Sequence, residues 1–153
     1  MDQVSMYDDL AVKYPDLVGG SKFGGFAVGD GWYGLIDGLC GMITHYVKTH
    51  NDDVDYRLQQ IAEGKRTEKD YSPDLLVKRE MPKIRQVKEK FGGLRFYVDT
   101  TDKRIHHWIE FAEVVSTKIC EECGAPGERR GEGWVRTLCD FHEAEYQKKI
   151  ANR

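Results

Sequence analysis

Cys120, Cys123, Cys139 and His142 stand in a C-x2-C-x15-C-x2-H array, and no other pattern in the chain restricts its folding as strongly. Two close pairs of soft donors, separated by a segment long enough to make a hairpin, can converge tetrahedrally on one metal ion, and three thiolates with an imidazole suit Zn2+. The spacing therefore predicts one structural Zn2+ per chain, held by all four residues in a closed set that leaves no position for a catalytic water. Gly124 follows Cys123 and permits the positive φ of a tight knuckle whose amides can point at the sulfurs. Gly127 and Gly131-Glu132-Gly133 flank short segments ending in Trp134-Val135-Arg136-Thr137-Leu138, which read as a small hairpin. Thr137 is the expected N-cap of the helix that follows, with Asp140 three residues on, which places Cys139 and His142 on one side of the first turn. Together these parts predict a treble-clef-like zinc module over residues 119–153. Cys40 falls within a helical apolar pattern and reads as a small buried hydrophobe rather than a ligand.

A chain of 153 residues fits one small domain, residues 1–118, carrying that module. With 40% hydrophobic and 32% charged residues and no apolar stretch of spanning length, the composition is that of a soluble globular protein with no membrane partner. Met1 is followed by Asp2, Asp8 and Asp9 rather than by a basic and then apolar run, which predicts no secretory leader and a reducing, cytoplasmic setting for the thiols. A net charge of −3 argues against coating nucleic acid with the whole surface. The charge is nonetheless polarised: residues 1–63 carry four Lys or Arg against ten Asp or Glu, and residues 78–98 carry seven against two.

Along the chain, Ser5 to Leu10 reads as a short capped helix limited by Pro15, followed by a Gly-rich approach from Gly19 to Gly31. Asp30 is the expected cap of a helix whose stripe is Trp32, Leu35, Ile36, Leu39, Cys40, Ile43, Tyr46 and Val47. Gly31, Gly34, Gly38 and Gly41 weaken that helix, which predicts close packing against its glycine face, with a partner helix as the occupant. Residues 50–82 form a charged insertion or arm with a short helix near Val54, Leu58 and Ile61. A further helix is expected from Asp102 to Lys118, since Ile105, Trp108, Ile109, Ala112, Val115 and Ile119 share a face; that face packs most simply on the Trp32–Val47 helix, with Trp32 and Trp108 in one core. The resulting fold class is α+β: two packed amphipathic helices, a β-hairpin and the zinc module.

The hairpin is Ile84 to Val98, turning at Gly92-Gly93. That turn sets Phe91 opposite Leu94, Lys90 opposite Arg95 and Lys88 opposite Tyr97, with Phe91 on the core side. A different turn length shifts the pairing by one residue. Lys83, Arg85, Lys88, Lys90, Arg95 and Tyr97 are the candidate partner-binding residues, because like charges facing each other across a strand pair call for an anion or an acidic neighbour. The protein's own acidic N-terminal region is an equally available counter-charge.

Gly29-Asp-Gly-Trp-Tyr-Gly-Leu-Ile-Asp-Gly-Leu-Cys40, Lys88-Glu-Lys-Phe-Gly-Gly-Leu-Arg-Phe-Tyr97, and Cys120-Glu-Glu-Cys-Gly-Ala-Pro-Gly127 with Gly133-Trp134 and Thr137-Leu-Cys-Asp-Phe-His142 resemble a family of short proteins encoded by bacteriophages and prophages. The resemblance covers roughly residues 28–48 and 83–142. It implies a phage origin and work in the bacterial cytoplasm, and it brings no activity with it. No catalytic residues are assigned. The histidines lie at helix ends, beside an apolar stripe or in the zinc set, and the Gly127–Thr137 hairpin lacks the His or Asn of an HNH-type nuclease, a remote alternative. The expectation is a non-catalytic, zinc-stabilised phage accessory protein that binds and inhibits a host protein, or sequesters a small anionic nucleotide signal. The alternative is a nucleic-acid-binding regulator using the basic hairpin with Tyr97 as a stacking platform. No sequence feature sets an oligomeric state.

Overall fold

Apolar side chains recurring at three- and four-residue spacing from Trp32 onward continue past the point where the charge density rises, and the helix they form continues with them. The computed structural model describes residues 5–20 and 22–153. Its elements are α1 (Asp8–Lys13), α2 (Pro15–Val18), β1 (Phe26–Ala27), α3 (Tyr33–Ala62), β2 (Lys83–Lys90), β3 (Gly93–Asp99), α4 (Lys103–Ser116), β4 (Glu128–Arg130), β5 (Arg136–Leu138) and α5 (Asp140–Ala151). The fold is α+β, with one long helix and two small sheets. Two units separate by contact: Met1–Cys40 with Pro82–Arg153, and Gly41–Met81.

In the first unit the sheet order is β1-β2-β3, with β1 parallel and β3 antiparallel to β2. Trp32, Ile36, Leu39, Ile84, Val87, Leu94, Phe96, Ile105 and Ile109 are buried and make up much of the core. Asp102 caps α4 by accepting from the Arg104 amide at 2.9 Å. The sequence named the Trp32–Val47 helix as the partner of α4, but the contacts that fix α4 run to β3. Ser116 Oγ accepts the Leu94 amide at 2.9 Å and Glu113 Oε2 accepts the Phe96 amide at 3.0 Å. β3 is the outer strand, and these side chains occupy amide groups that its free edge would otherwise offer to another chain. Trp108 is half-buried, unlike Trp32, so the shared tryptophan core expected from the sequence reduces to Trp32. The Trp32 indole N–H donates to Ile119 O at 2.9 Å, satisfying its polar edge within the core.

The hairpin turns one residue earlier than expected. Lys90 pairs with Gly93, Glu89 with Leu94, Lys88 with Arg95 and Val87 with Phe96, and a bulge near Arg85 restores Ile84 to the buried face opposite Val98. The turn residues are therefore Phe91-Gly92, both with positive φ, 53° and 76°. That is the two-residue form whose twist matches the strands. Phe91, assigned to the core by the sequence, is exposed at the tip. Two long-range bonds select this register: Thr137 Oγ1 donates to Gly92 O and Arg129 donates to Phe91 O. Glu89 Oε1 also accepts the Gly92 amide at 2.6 Å.

A bulky residue in the left-handed region costs about 1–2 kcal/mol. Phe91→Asn supplies the Asn-Gly pair that such turns prefer, and it is expected to raise stability by roughly 1 kcal/mol, read as a higher denaturation midpoint at unchanged m.

In the second unit, the charged stretch folds back along the C-terminal part of α3. The helix is 30 residues long, so the separate short helix near Val54 is a continuation of it. Asn51 exchanges two hydrogen bonds with the Arg79 backbone, at 2.7 and 2.9 Å, and Arg57 donates to Leu75 O at 3.0 Å. The Arg79 guanidinium lies 4.4 Å from the Tyr46 ring centroid. These bonds fix the segment that the sequence suggested as an arm.

Candidate metal centre and basic hairpin

Gly124 has φ +80°, which reverses the chain directly after Cys123. Within the knuckle, the Gly124 amide donates to Cys120 O at 2.9 Å and the Cys120 amide to Ala125 O at 2.7 Å. β4 and β5 pair antiparallel, Glu128 with Leu138 and Arg130 with Arg136, and deliver Cys139 to the start of α5. The N-cap of α5 is Cys139 itself: its sulfur accepts the His142 amide at 3.5 Å, in place of the capping expected from Thr137. Thr137 lies buried in β5 and spends its hydroxyl on the hairpin tip.

The ligand atoms of Cys120, Cys123, Cys139 and His142 all lie within 4.8 Å of one another and could hold a metal ion. Cys123 Sγ is 3.8 Å from Cys139 Sγ, and His142 Nδ1 is 3.3 Å from Cys139 Sγ and 3.6 Å from Cys120 Sγ. A tetrahedral ion at ordinary metal–sulfur and metal–nitrogen lengths sets such edges at about 3.8 and about 3.5 Å, so the donor set has the right size. Cys139 is held down to about 6, chiefly by the His142 amide hydrogen bond to its sulfur, so its thiolate form is favoured near neutrality. In the metal-free chain that preference is present in full above the ordinary cysteine value near about 8.5. It is lost as pH falls through the lowered value.

The knuckle rests on the Gly29–Trp32 turn. Gly31 N donates to Glu121 O at 2.7 Å, Gly29 N donates to Glu121 Oε1 at 3.0 Å, and Trp32 reaches Ile119. A Cβ on Gly31 would stand 2.1 Å from Cys120 O, 2.6 Å from Glu121 O and 2.6 Å from Gly124 N. The close approach predicted at the glycine face is thus real at Gly31, but its occupant is backbone of the metal knuckle and not a helix. Gly34 and Gly38 face nothing within 4 Å. Burial raises the Glu121 carboxyl above its usual range, with the Gly29 amide working against the shift and Glu89 and Glu122 adding to it.

The candidate basic residues fall into two groups. Lys83 donates to Asp16 O, and Arg85 pairs with Asp99, so both are engaged by the protein itself. Lys88, Lys90, Arg95 and Tyr97 share one face of the hairpin, with Lys88 directly opposite Arg95. Among the described residues none of these three cations forms an ion pair. Lys90 faces Gly93, and the vacant side of that glycine accommodates the Arg95 guanidinium, which would lie 3.3 Å from a Cβ there. Arg95 also donates to Leu94 O at 2.9 Å.

Sequence reasoning missed a second feature, at the tip of the hairpin. A groove of about 240 Å³ is lined by Glu89, Lys90, Phe91, Gly133, Trp134 and Val135. Its sequence trace was a large aromatic residue beside Gly133, in the loop between two short strands, where nothing requires an apolar side chain. Comparison with family models, with curated proteins and with solved structures returned no match.

Proposed function

We propose that the chain is a non-catalytic binding protein, stapled by one structural Zn2+ in a treble-clef-like module, that engages an anionic partner through Lys88, Lys90, Arg95 and Tyr97. Three thiolates and one imidazole at tetrahedral spacing support zinc as the ion, since the donor set is softer than magnesium or calcium accepts. Four protein ligands complete its coordination and give the ion a folding role. The observation that carries the functional reading is the group of three cations on one hairpin face, none of which forms an ion pair among the described residues. Like charges held opposite each other are unfavourable in isolation and become favourable when an anion bridges them. The resemblance to phage-encoded proteins supports an accessory role in the bacterial cytoplasm, with a host protein, an anionic nucleotide or a nucleic acid as the anionic partner.

The test compares wild type with a Lys88→Gln, Lys90→Gln, Arg95→Gln variant, both metal-loaded, as baits in bacterial lysate. The variant is expected to keep or slightly raise its denaturation midpoint, because cross-strand repulsion is removed, and to lose the partner that wild type retains. Retention of the same partner at the same affinity by both proteins would falsify the assignment and leave the charges as a solvated face.

A further inference from the structure

We infer that the groove between Phe91 and Trp134 stacks a base of single-stranded nucleic acid whose phosphates run along Lys90, Lys88 and Arg95. The inference rests on the reading of the hairpin face as an anion-binding surface and names its ligand.

Phe91 is 60% exposed and Trp134 is 68% exposed, and unlike Phe111 and Phe141, which are as exposed, these two rings line one groove from adjoining loops. Both loops are tied to one base. Arg129 and Thr137, from the strands that flank the Trp134 loop, bond to Phe91 O and Gly92 O. The two rings are therefore presented from fixed backbones, and little ordering is left for a ligand to bring about. Phe91 also occupies a left-handed position for which Asn or Gly is better suited, so the turn itself does not account for the ring.

The charge pattern selects the class of ligand. Lys90 lines the groove, its ammonium 5.5 Å from the Phe91 ring centroid, and it continues the face carrying Lys88, Arg95 and Tyr97. Glu89 lines the groove too, its carboxylate bonded to the Gly92 amide, so a phosphate is disfavoured inside while an uncharged ring is not. From the Gln86–Tyr97 pair to the Lys90–Gly93 pair is four residues, about 13 Å of strand. Lys88, Arg95 and Lys90 lie on the two same-face pairs nearest the tip and Tyr97 stands exposed at the far end, so aromatic positions about 13 Å apart with cations between them exceed what one base can use and suit a chain of nucleotides. A duplex keeps its bases stacked inside and offers the groove nothing.

Metal-loaded full-length protein is titrated with a single-stranded oligothymidylate of about 12 nucleotides and with an abasic oligomer of equal length and charge, following anisotropy and tryptophan emission. The thymidylate is expected to quench emission and to bind more tightly than the abasic strand. Trp134→Ala should weaken thymidylate binding about 5- to 150-fold and leave abasic binding unchanged. Phe91→Asn should also weaken it without lowering the denaturation midpoint, which separates loss of a ring from loss of the fold. Equal affinity for the two oligomers, or a Trp134→Ala variant that binds thymidylate as wild type does, overturns the stacking groove and leaves the anion-binding face standing. The same follows if neither oligomer binds while polyphosphate is retained through Lys88, Lys90 and Arg95. If polyphosphate is not retained either, both readings fall.

Discussion

Cys123→Ser is expected to abolish stoichiometric metal binding and to unfold the chain from about Ile119 to the C-terminus. Cys123 is exposed, and exchanging sulfur for oxygen at an exposed position costs little by packing alone. A large effect must therefore pass through the ion. In zinc-finger peptides structural zinc contributes on the order of 10–16 kcal/mol of binding free energy, comparable with the roughly 5–15 kcal/mol total stability of an ordinary domain. The checks are metal content per chain and the pattern of limited proteolysis. Cys40→Ser serves as the control: Cys40 is fully buried away from the four ligands, its thiol is pushed up to about 12 by burial with Asp37 adding, and its replacement should leave metal content unchanged. A Cys123→Ser protein that resists protease along its whole length would remove the ion from any folding role.

Gly31→Ala is the second substitution with a large expected effect, and it is the smaller change chemically. The added methyl would meet three backbone atoms of the knuckle, the nearest at 2.1 Å, and backbone held by its own hydrogen bonds cannot move aside as a flexible side chain can. A cost of at least about 3 kcal/mol is expected, at the upper end for overpacking. Gly34→Ala, three residues on and inside α3, faces open space and should stabilise by about 1 kcal/mol through helix propensity. Opposite shifts in denaturation midpoint are the expected result. Equal effects at the two positions would mean that the knuckle does not sit on the Gly29–Trp32 turn.

Local rules made several features legible. The ligand array could be read because its spacing is set by coordination geometry, and the start of α4 because Asp102 caps it by a bond two residues away. The existence of the hairpin followed from alternating residues around a glycine pair. Its register did not, since Phe91-Gly92 and Gly92-Gly93 both make two-residue turns, and the choice between them is made by Thr137 and Arg129, some 45 and 38 residues away. The consequence reached the site: Lys88, not Lys90, faces Arg95, while the same cations remain on one face. The role of Gly31 was half legible, because a run of glycines announces close approach without naming what approaches. Trp134 was missed because an exposed aromatic leaves no periodicity to detect. The length of α3 was missed because its later turns are polar on most sides, with Val54 a lone fully buried residue past the point where charge becomes dense.

The seating of Gly29 and Trp32 on Glu121 and Ile119 joins positions 92 and 87 residues apart in the chain. During synthesis, the turn at Gly29–Trp32 is made long before the segment that receives it. The N-terminal quarter of the protein must then wait, with Trp32 and the aromatic group around Tyr7 and Phe26 lacking their final surroundings, until the knuckle has emerged. With the proposed ion in place, its capture by the later-made knuckle is the step that closes the earlier-made turn, and a cell short of that metal would accumulate chains exposed around Trp32 rather than merely frayed beyond Ile119.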